Sequence, residues 1–111
     1  MKGDHLGELE ELVLLAVYGM ADDPNSTYGV TVHQHIETLT GRDCTLGAIY
    51  SALERLERKA CLESLIAAAT GERGGRRRRV FALTARGKQT LDRVRAGRDA
   101  MWQAAELGRE S

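Results

Sequence analysis

Cationic side chains crowd one stretch of this 111-residue chain, between residues 73 and 98. The stretch carries ten Lys and Arg residues and a single acidic residue, Asp92. Guanidinium groups donate paired hydrogen bonds to phosphate oxygens, so such a density of them suits a polyanionic partner. A solvated charged loop and helix face is the alternative interpretation, and the position of the cluster in the fold decides between the two.

The neutral net charge of the chain hides two halves of opposite sign. Residues 1–63 carry 11 acidic and 5 basic side chains, whereas residues 64–111 carry 5 acidic and 11 basic ones. The two net charges are −6 and +6, and they cancel only in the sum. The overall neutrality therefore does not argue against a nucleic-acid partner.

The residues that most often carry catalysis or bind metals are poorly placed for either. His33 and His35 are two positions apart, which directs them to different sides of a helix, and neither CxxC nor HExxH is present. Ser51 and Cys44 have no evident base beside them, and the glycines of 71–75 are not followed by Lys-Ser or Lys-Thr. The sequence predicts no enzyme, no metal site and no cofactor.

The length and the hydropathy pattern limit the class of protein. A chain of 111 residues forms one small domain with one core, too small for a deep catalytic cleft. No run of about 18 apolar residues occurs, and residues 1–5 lack the apolar stretch of a signal peptide. We therefore expect a cytoplasmic protein without a membrane span, whose Cys44 and Cys61 are free thiols.

Apolar residues at offsets of three and four predict two helices in the first 41 residues. The first covers about 6–20. A turn cluster follows it, and Ser26 or Thr27 is placed to cap the second helix, which opens at Tyr28 and ends at Thr40-Gly41.

A third helix is predicted after Thr45, which is a plausible N-cap. Ile49, Leu53 and Leu56 point inward at offsets of four and three. The first turn then presents small, nearly uncharged side chains outward, so it can approach another surface closely. Ala48 and Ser51 belong to this outward side.

A β-hairpin is predicted next, with a long basic loop at its tip. Its first strand is expected within 62–69, and its return strand at 79–83. The loop between them is rich in glycine and holds arginines at four positions that we assign to it: Arg73, Arg76, Arg77 and Arg78. Arg79 begins the return strand and is expected to project elsewhere.

Thr84 is placed to cap a last helix over about 85–107, which would be roughly 35 Å long and would overhang a small body. Its apolar stripe needs a second chain to cover it, so we expect a homodimer. The residues assigned to that interface are Leu91, Val94, Met101, Trp102 and Ala105. The predicted division is 1–84 for the binding domain and 85–111 for the dimerisation helix.

The order of these elements predicts a mainly α protein with a small β-hairpin, a winged helix-turn-helix with a long C-terminal dimerisation helix. In that architecture the third helix enters the major groove, and the hairpin tip reaches adjacent phosphates or the minor groove. The position of the arginine cluster in the hairpin therefore favours double-stranded DNA as the polyanion.

The sequence also resembles the PadR-like transcriptional regulators over about residues 5–105. The resemblance rests on Tyr28-Gly29, on the third-helix run Leu46-Gly47-Ala48-Ile49-Tyr50-Ser51-Ala52-Leu53-Glu54-Arg55-Leu56-Glu57, and on the Arg-rich wing before Phe81-Ala82-Leu83-Thr84-Ala85-Arg86-Gly87. The family's usual third-helix pattern has Thr at position 48, Leu at 49 and Pro at 51, and a glycine is usual at position 60, where this chain has Ala.

The resemblance implies a homodimeric DNA-binding regulator, usually a repressor, that a small molecule sometimes releases from its operator. By position, Thr45, Ala48 and Ser51 would approach the duplex closely, and the Tyr28 and Tyr50 hydroxyls would contact phosphate. Arg55 and the wing arginines would supply positive charge.

Alternatives remain for several of these residues. Tyr28 and Tyr50 are equally explained as core aromatics with their hydroxyls at the edge. Arg55 is also explained by surface pairing with Glu54 or Glu57. Trp102 either packs a dimer interface or forms, with its copy, a flat surface for a planar ligand.

A second function hypothesis keeps the fold and changes the partner. A winged-helix protein-interaction module without specific DNA binding would use the third helix to bind a protein. The acidic first half of the chain makes this conceivable, since Glu54, Glu57 and Glu63 lie close to the proposed reading helix. Only non-specific association with DNA would favour this second hypothesis.

Overall fold

The computed structural model describes residues 5–67 and 77–110. Within them the chain forms four α-helices, one short 3-10 turn and a two-stranded antiparallel sheet. In chain order the elements are α1 (Glu8–Gly19), the 3-10 turn (Pro24–Ser26), α2 (Gly29–Thr40), α3 (Leu46–Arg58), β1 (Leu62–Ala67), β2 (Arg78–Leu83) and α4 (Ala85–Glu110). The prediction of a mainly α protein with one hairpin and a long last helix is confirmed.

The core lies where α1, α2 and α3 meet the sheet and the start of α4. Each of the first three helices buries one apolar stripe, because its apolar residues recur at helical spacing. The residues at the centre, all at most 2% exposed, are Val13, Leu14, Val17, Val32, Ile36, Ile49, Ala52, Leu53, Leu56, Cys61 and Leu62. The inward direction of Ile49, Leu53 and Leu56 is therefore as predicted.

Two of the predicted helix caps are confirmed, and the third is wrong. The Thr45 hydroxyl accepts a hydrogen bond from the Ala48 N–H at 3.0 Å, and the Thr84 hydroxyl accepts one from the Gly87 N–H at 3.0 Å. Helix α2, however, starts one residue later than predicted, and its N-cap is Tyr28. Thr27 is buried instead, and its hydroxyl donates backward to the carbonyls of the preceding turn.

The hairpin pairs Leu62 with Leu83 at its base and Ala67 with Arg78 at the last described pair. Strand β2 begins at Arg78, one residue earlier than predicted. The N–H of Phe81 donates to the carbonyl of Thr27 at 2.9 Å, which fastens the hairpin to the segment that leads into α2. The predicted loop arginines Arg73 and Arg76 lie outside the described residues.

Two backbone positions near the base of the hairpin are sterically special. Ala60 has a φ of 62°, a left-handed conformation that glycine adopts more easily, which accounts for the glycine usual at this position in the resembled pattern. A Cβ on Gly87 would lie 2.2 Å from the Cys61 carbonyl oxygen, so only glycine lets α4 approach this closely.

Helix α4 packs against the other elements along its first half and is exposed to solvent along its second. Gly87, Thr90 and Leu91 are buried, whereas every residue from Arg95 to Glu110 is exposed. Its 26 residues span about 39 Å at 1.5 Å per residue, and the molecule measures 65 Å along its longest axis. The predicted overhang is confirmed. No helix in the two described ranges is both long and apolar enough to span a membrane.

Candidate nucleic-acid interface

The outward face of α3 consists of residues opposite its buried stripe. Gly47, Ser51, Glu54 and Arg58 follow one another at offsets of four, three and four, and all are exposed. Thr45 is exposed at the N-cap, and Ala48 is half-buried at one edge of this face. On this face the first turn thus presents the small residues Gly47 and Ala48, as predicted, and the larger Leu46 is exposed beside them.

The ring of Tyr50 joins α3 to the start of α2. A Cβ on Gly29 would lie 2.4 Å from this ring, so the glycine provides the space that the ring occupies. Tyr50 nevertheless stays 44% exposed, which places it between the two predicted alternatives. The ring packs on the neighbouring helix while much of the side chain faces solvent. The Tyr28-Gly29 pair and the third-helix run therefore contact each other, through Gly29 and the ring of Tyr50.

The start of β2, at the end of the described hairpin away from its base, reaches the same place from the other direction. The guanidinium carbon of Arg78 lies 4.5 Å from the centre of the Tyr28 ring, a cation–π arrangement. Because Tyr28 directly precedes Gly29, Arg78 and Tyr50 adjoin the same end of α2. The start of β2, the start of α2 and the first turns of α3 thus form one continuous surface, which we call the wing-side face. Arg77 is exposed beside it.

A second set of contacts fixes the hairpin against α3. Glu57 of α3 accepts a hydrogen bond from the Ser64 hydroxyl of β1 at 2.6 Å and forms an ion pair with Arg79 of β2. Arg79 also donates to the Ser64 hydroxyl at 3.1 Å. Arg79 therefore projects toward α3 rather than out with its neighbours. We call these three residues the hairpin clamp. The sequence reasoning missed it, because its members are brought together only by the fold.

The opposite flank of α3 is tied to α1 by a nearly buried carboxylate. Glu10 is 6% exposed, and its oxygens accept hydrogen bonds from Arg55 at 3.2 Å, from Lys59 at 3.0 Å and from the Gly7 N–H at 2.7 Å. Arg55 thus pairs with Glu10 rather than with Glu54 or Glu57. Its charge is neutralised inside the domain, so the structure places Arg55 in a stabilising contact.

Burial alone would raise the pKa of Glu10. The hydrogen bond from the Gly7 N–H and the contacts with Lys59 and Arg55 act in the opposite direction and prevail, so the pKa is lowered from its usual 4.5. The carboxylate is therefore ionised whenever the protein is near neutral pH. This ionisation makes Glu10 a permanent partner for the two cations on α3.

The predicted interface residues on α4 fall into two groups. Leu91 is 6% exposed and belongs to the chain's own core, which leaves little of it for a partner chain. Val94 is half-buried, and Met101, Trp102 and Ala105 are exposed on the continuation of the same helix face. Met101 and Trp102 are 72% and 70% exposed, so the apolar face that begins in the core continues without cover from residues 5–67 or 77–110.

An open cavity of about 400 Å³ lies between α1 and α4, beside this face. Its apolar lining comes from Leu15, Tyr18, Leu91 and Trp102, and its charged rim carries Lys88, Arg95 and Arg98 together with Glu11, Asp92 and Asp99. Arg98 is held by Glu11 of α1 through hydrogen bonds of 3.0 and 3.1 Å, which raise the pKa of the guanidinium further.

The side chain of His33 is engaged in local contacts. The Nε2 atom of His33 lies 2.6 Å from the Cys44 carbonyl oxygen and 3.3 Å from the Glu37 carboxylate. Within the described ranges no three His, Cys, Asp or Glu residues are grouped as a metal ion would require.

Solved structures with similar folds include several transcriptional regulators. A PadR family transcription regulator from Clostridium difficile R20291 superposes with a TM-score of 0.73 at 21% identity, over 91% of this chain and 97% of that one. A PadR-like regulator from Bacillus cereus gives 0.70 at 17% identity, over 93% and 92%. A MepR mutant from S. aureus bound to an oligodeoxyribonucleotide gives 0.66 at 20%, over 92% and 64%.

These structural similarities confirm the predicted winged helix-turn-helix fold. Among curated proteins, none matches the sequence significantly. The family model described as "Transcriptional regulator PadR-like family" matches residues 17–93, well over half of the chain. The match includes all three parts of the wing-side face, which are the start of α2, the first turns of α3 and the start of β2, and it ends in the first turns of α4. The chain therefore belongs to the PadR-like family of transcriptional regulators.

Proposed function

We propose that this protein is a homodimeric repressor that binds a pseudo-palindromic DNA operator through the wing-side face. The small first turn of α3 enters the major groove, with Thr45, Ala48 and Ser51 nearest the duplex. Tyr28 and Tyr50 offer their hydroxyls to phosphates at the edge of the groove, and Arg77 and Arg78 bind phosphates from the wing. Arg73 and Arg76 belong to the same proposal through their place in the sequence.

One observation carries the proposal: Arg78 stacks on Tyr28, and Tyr50 packs against Gly29, the next residue along the chain. The start of β2 and the start of α3 therefore share one surface, as simultaneous contact with groove and phosphates requires. The MepR neighbour, of similar fold, is bound to an oligodeoxyribonucleotide and supports DNA as the partner class. Arg55 enters the proposal as a stabilising residue, because Glu10 holds it on the opposite flank.

Dimerisation rests on the uncovered face of α4. A soluble helix that exposes Met101 and Trp102 side by side is stabilised when a second copy covers them, and a two-fold axis places the same patch on both chains. The division into a binding domain over 1–84 and a dimerisation helix over 85–111 follows from this arrangement. The two-fold axis in turn implies an operator with two half-sites about 34 to 36 Å apart.

The experiment is a selection from random double-stranded DNA with the full-length protein, followed by binding measurements on the selected site over a range of salt concentrations. We expect one enriched pseudo-palindrome and an affinity that falls steeply with salt. Enrichment of no sequence, with only non-specific association, would favour the winged-helix protein-interaction module instead.

The dimer is tested separately by sedimentation. Met101→Ser with Trp102→Ser removes the exposed apolar pair, and we expect the protein to become monomeric while its helix content is kept. Gln103→Ala, an exposed polar position on the same helix, is the matched control and should remain dimeric. If the double variant sediments as the unchanged protein does, α4 does not provide the interface.

A small-molecule effector is a further part of the proposal, and the cavity beside Trp102 favours it. Tyr18 and Trp102 offer flat aromatic surface, and the rim carries charges of both signs, with Lys88 paired to Asp92 and Arg98 paired to Glu11. A planar aromatic molecule fits that combination. Because Trp102 is the one tryptophan of the sequence, quenching of its fluorescence by such molecules measures binding directly. Trp102 otherwise serves in interface packing alone, and its fluorescence then stays unchanged.

A further inference from the structure

The charged residues near the end of α3 are used in two different ways. Arg55 and Lys59 are held by Glu10 on the α1 flank, and Glu57 is held by Ser64 and Arg79 on the hairpin flank. Glu54 and Arg58 are exposed, and neither forms an ion pair within residues 5–67 and 77–110.

The position of Glu54 on the helix is central to the exposed face. It follows Ser51 by three residues and precedes Arg58 by four, so it stands one turn beyond the small side chains of the first turn. Ile49, Leu53 and Leu56 define the buried side directly opposite. Any duplex that contacts Ser51 and lies along the α3 face therefore meets the Glu54 carboxylate as well.

A carboxylate in this place opposes DNA binding unless it finds a specific donor. The phosphates of the duplex repel it, and the acceptor atoms of guanine and thymine in the major groove offer it no hydrogen bond. Among the bases, cytosine offers an N4 amino group, whereas the amino group of adenine stands beside the N7 acceptor. A cytosine is therefore the base edge that best compensates for the unfavourable charge.

We infer that Glu54 is a specificity-determining residue that accepts a hydrogen bond from a cytosine amino group in each half-site. This inference rests on the proposed function and deepens it, because it assigns base discrimination to a residue outside the small first turn. Glu54 strengthens the right sequence only slightly. Its main effect is to lower the affinity for all other sequences, since a site without that amino group leaves the Glu54 carboxylate facing phosphates and hydrogen-bond acceptors.

The test uses the full-length protein with Glu54→Ala and Glu54→Gln, and with Glu106→Gln as the control that removes the same charge from the far half of α4. Each protein is put through the selection from random duplex DNA. Affinities are then measured for the selected site, for the same site with the cytosine pair replaced, and for a random duplex. Because Glu54 is exposed, the variants should melt as the unchanged protein does.

We expect the unchanged protein to discriminate about 5- to 100-fold against replacement of that one pair, the range of a good base contact. Glu54→Ala should lose this discrimination, keep the preferences at other positions and bind the random duplex more tightly. Glu54→Gln should move the preference at that position toward adenine, with which Gln forms paired hydrogen bonds. Glu106→Gln should behave as the unchanged protein.

The outcomes separate this inference from the proposed function. If the unchanged protein enriches no sequence, both are overturned. If it enriches a site and the Glu54 variants enrich the same site with the same discrimination, only the role of Glu54 is overturned, and Glu54 is then available to a protein partner. If Glu54→Ala weakens binding to every sequence alike, its role is not base discrimination, and the inference is equally overturned.

Discussion

The two flanks of α3 use arginine in opposite ways. On the α1 flank, Arg55 closes on the nearly buried carboxylate of Glu10. On the wing-side face, Arg77 and Arg78 are exposed, and Arg78 stacks on Tyr28 rather than on an acid. The difference shows that the number of basic residues near a helix says little about polyanion binding, because what matters is whether an acid inside the domain already neutralises them.

The same difference separates stability from binding. Substitutions on the Glu10 flank remove contacts between α1 and α3 and should lower the free energy of unfolding without changing the response to salt. Substitutions at Arg77 and Arg78 remove charges that pair with no acid in the described residues, so they should change DNA affinity strongly and stability only slightly, through loss of the contact between Arg78 and Tyr28.

The largest effect is expected from Arg77→Ala with Arg78→Ala. If each side chain neutralises one phosphate, the slope of log affinity against log salt becomes shallower by about 0.9 per contact, or about 1.8 per chain. If the double variant and the unchanged protein bind equally at 1 M salt, the variant binds about 30-fold more weakly per chain at 0.15 M. The melting temperature should fall only slightly, because the contact between Arg78 and Tyr28 is lost. Fluorescence anisotropy with the selected site measures both affinity and slope. Arg109→Ala, at the far end of α4, is the control, and an unchanged slope in the double variant would remove the wing from the interface.

The next largest effect is expected from Glu10→Gln. The substitution leaves Arg55 and Lys59 without their common carboxylate, and we expect a loss of about 1 to 2 kcal/mol in the free energy of unfolding, reduced from the value of a fully buried pair because both cations are partly exposed. Urea denaturation measures it. The salt slope of DNA binding should stay as it is, and a flatter slope would mean that the two flanks do not differ as described.

A smaller effect is expected from Glu57→Gln, which loosens the hairpin clamp. Charge alone would make this variant bind DNA more tightly, because a negative charge near the phosphates is lost. We expect weaker binding by several-fold, since the wing is no longer held at a fixed angle to α3. Tighter binding would show that the hairpin clamp does not position the wing.

The smallest effect concerns pH. Because the pKa of Glu10 is lowered in the folded protein, its contribution to stability is present above the usual value of 4.5 and is lost as the pH falls through the lowered pKa. Thermal melts between pH 7 and pH 3 should therefore show a steeper loss below about pH 4.5 in the unchanged protein than in Glu10→Gln. Parallel curves would contradict this role of Glu10.

Local features of the fold were accessible from the sequence, whereas long-range pairs were not. The caps at Thr45 and Thr84 and the buried stripe of α3 depend on residues within a few positions of one another, so spacing predicts them. The pairing of Arg55 with Glu10 joins residues 45 positions apart, and only the packing of α1 against α3 brings them together. Sequence reasoning had offered Glu54 or Glu57, the nearest acids along the chain.

The predicted N-cap of α2 is wrong for a related reason. Ser26 and Thr27 are good N-cap residues by type, but Thr27 is drawn into the core, where its hydroxyl satisfies carbonyls of the preceding turn. The candidate site was predicted in the same uneven way. Helical spacing predicts that Ser51 lies on the outward side of α3. The same spacing places Glu54 at the centre of that side, one turn further along the helix.

The central claim is that the start of α3 and the wing contact one duplex together. Its most direct test places a photo-crosslinking amino acid at Ser51 or at Arg77 and maps the crosslinks on the selected DNA site. The account predicts that both positions crosslink within the same half-site, at nucleotides no more than about one helical turn apart. Crosslinks from one position only, or from both no more often than from the same amino acid placed at Gln103, would contradict it.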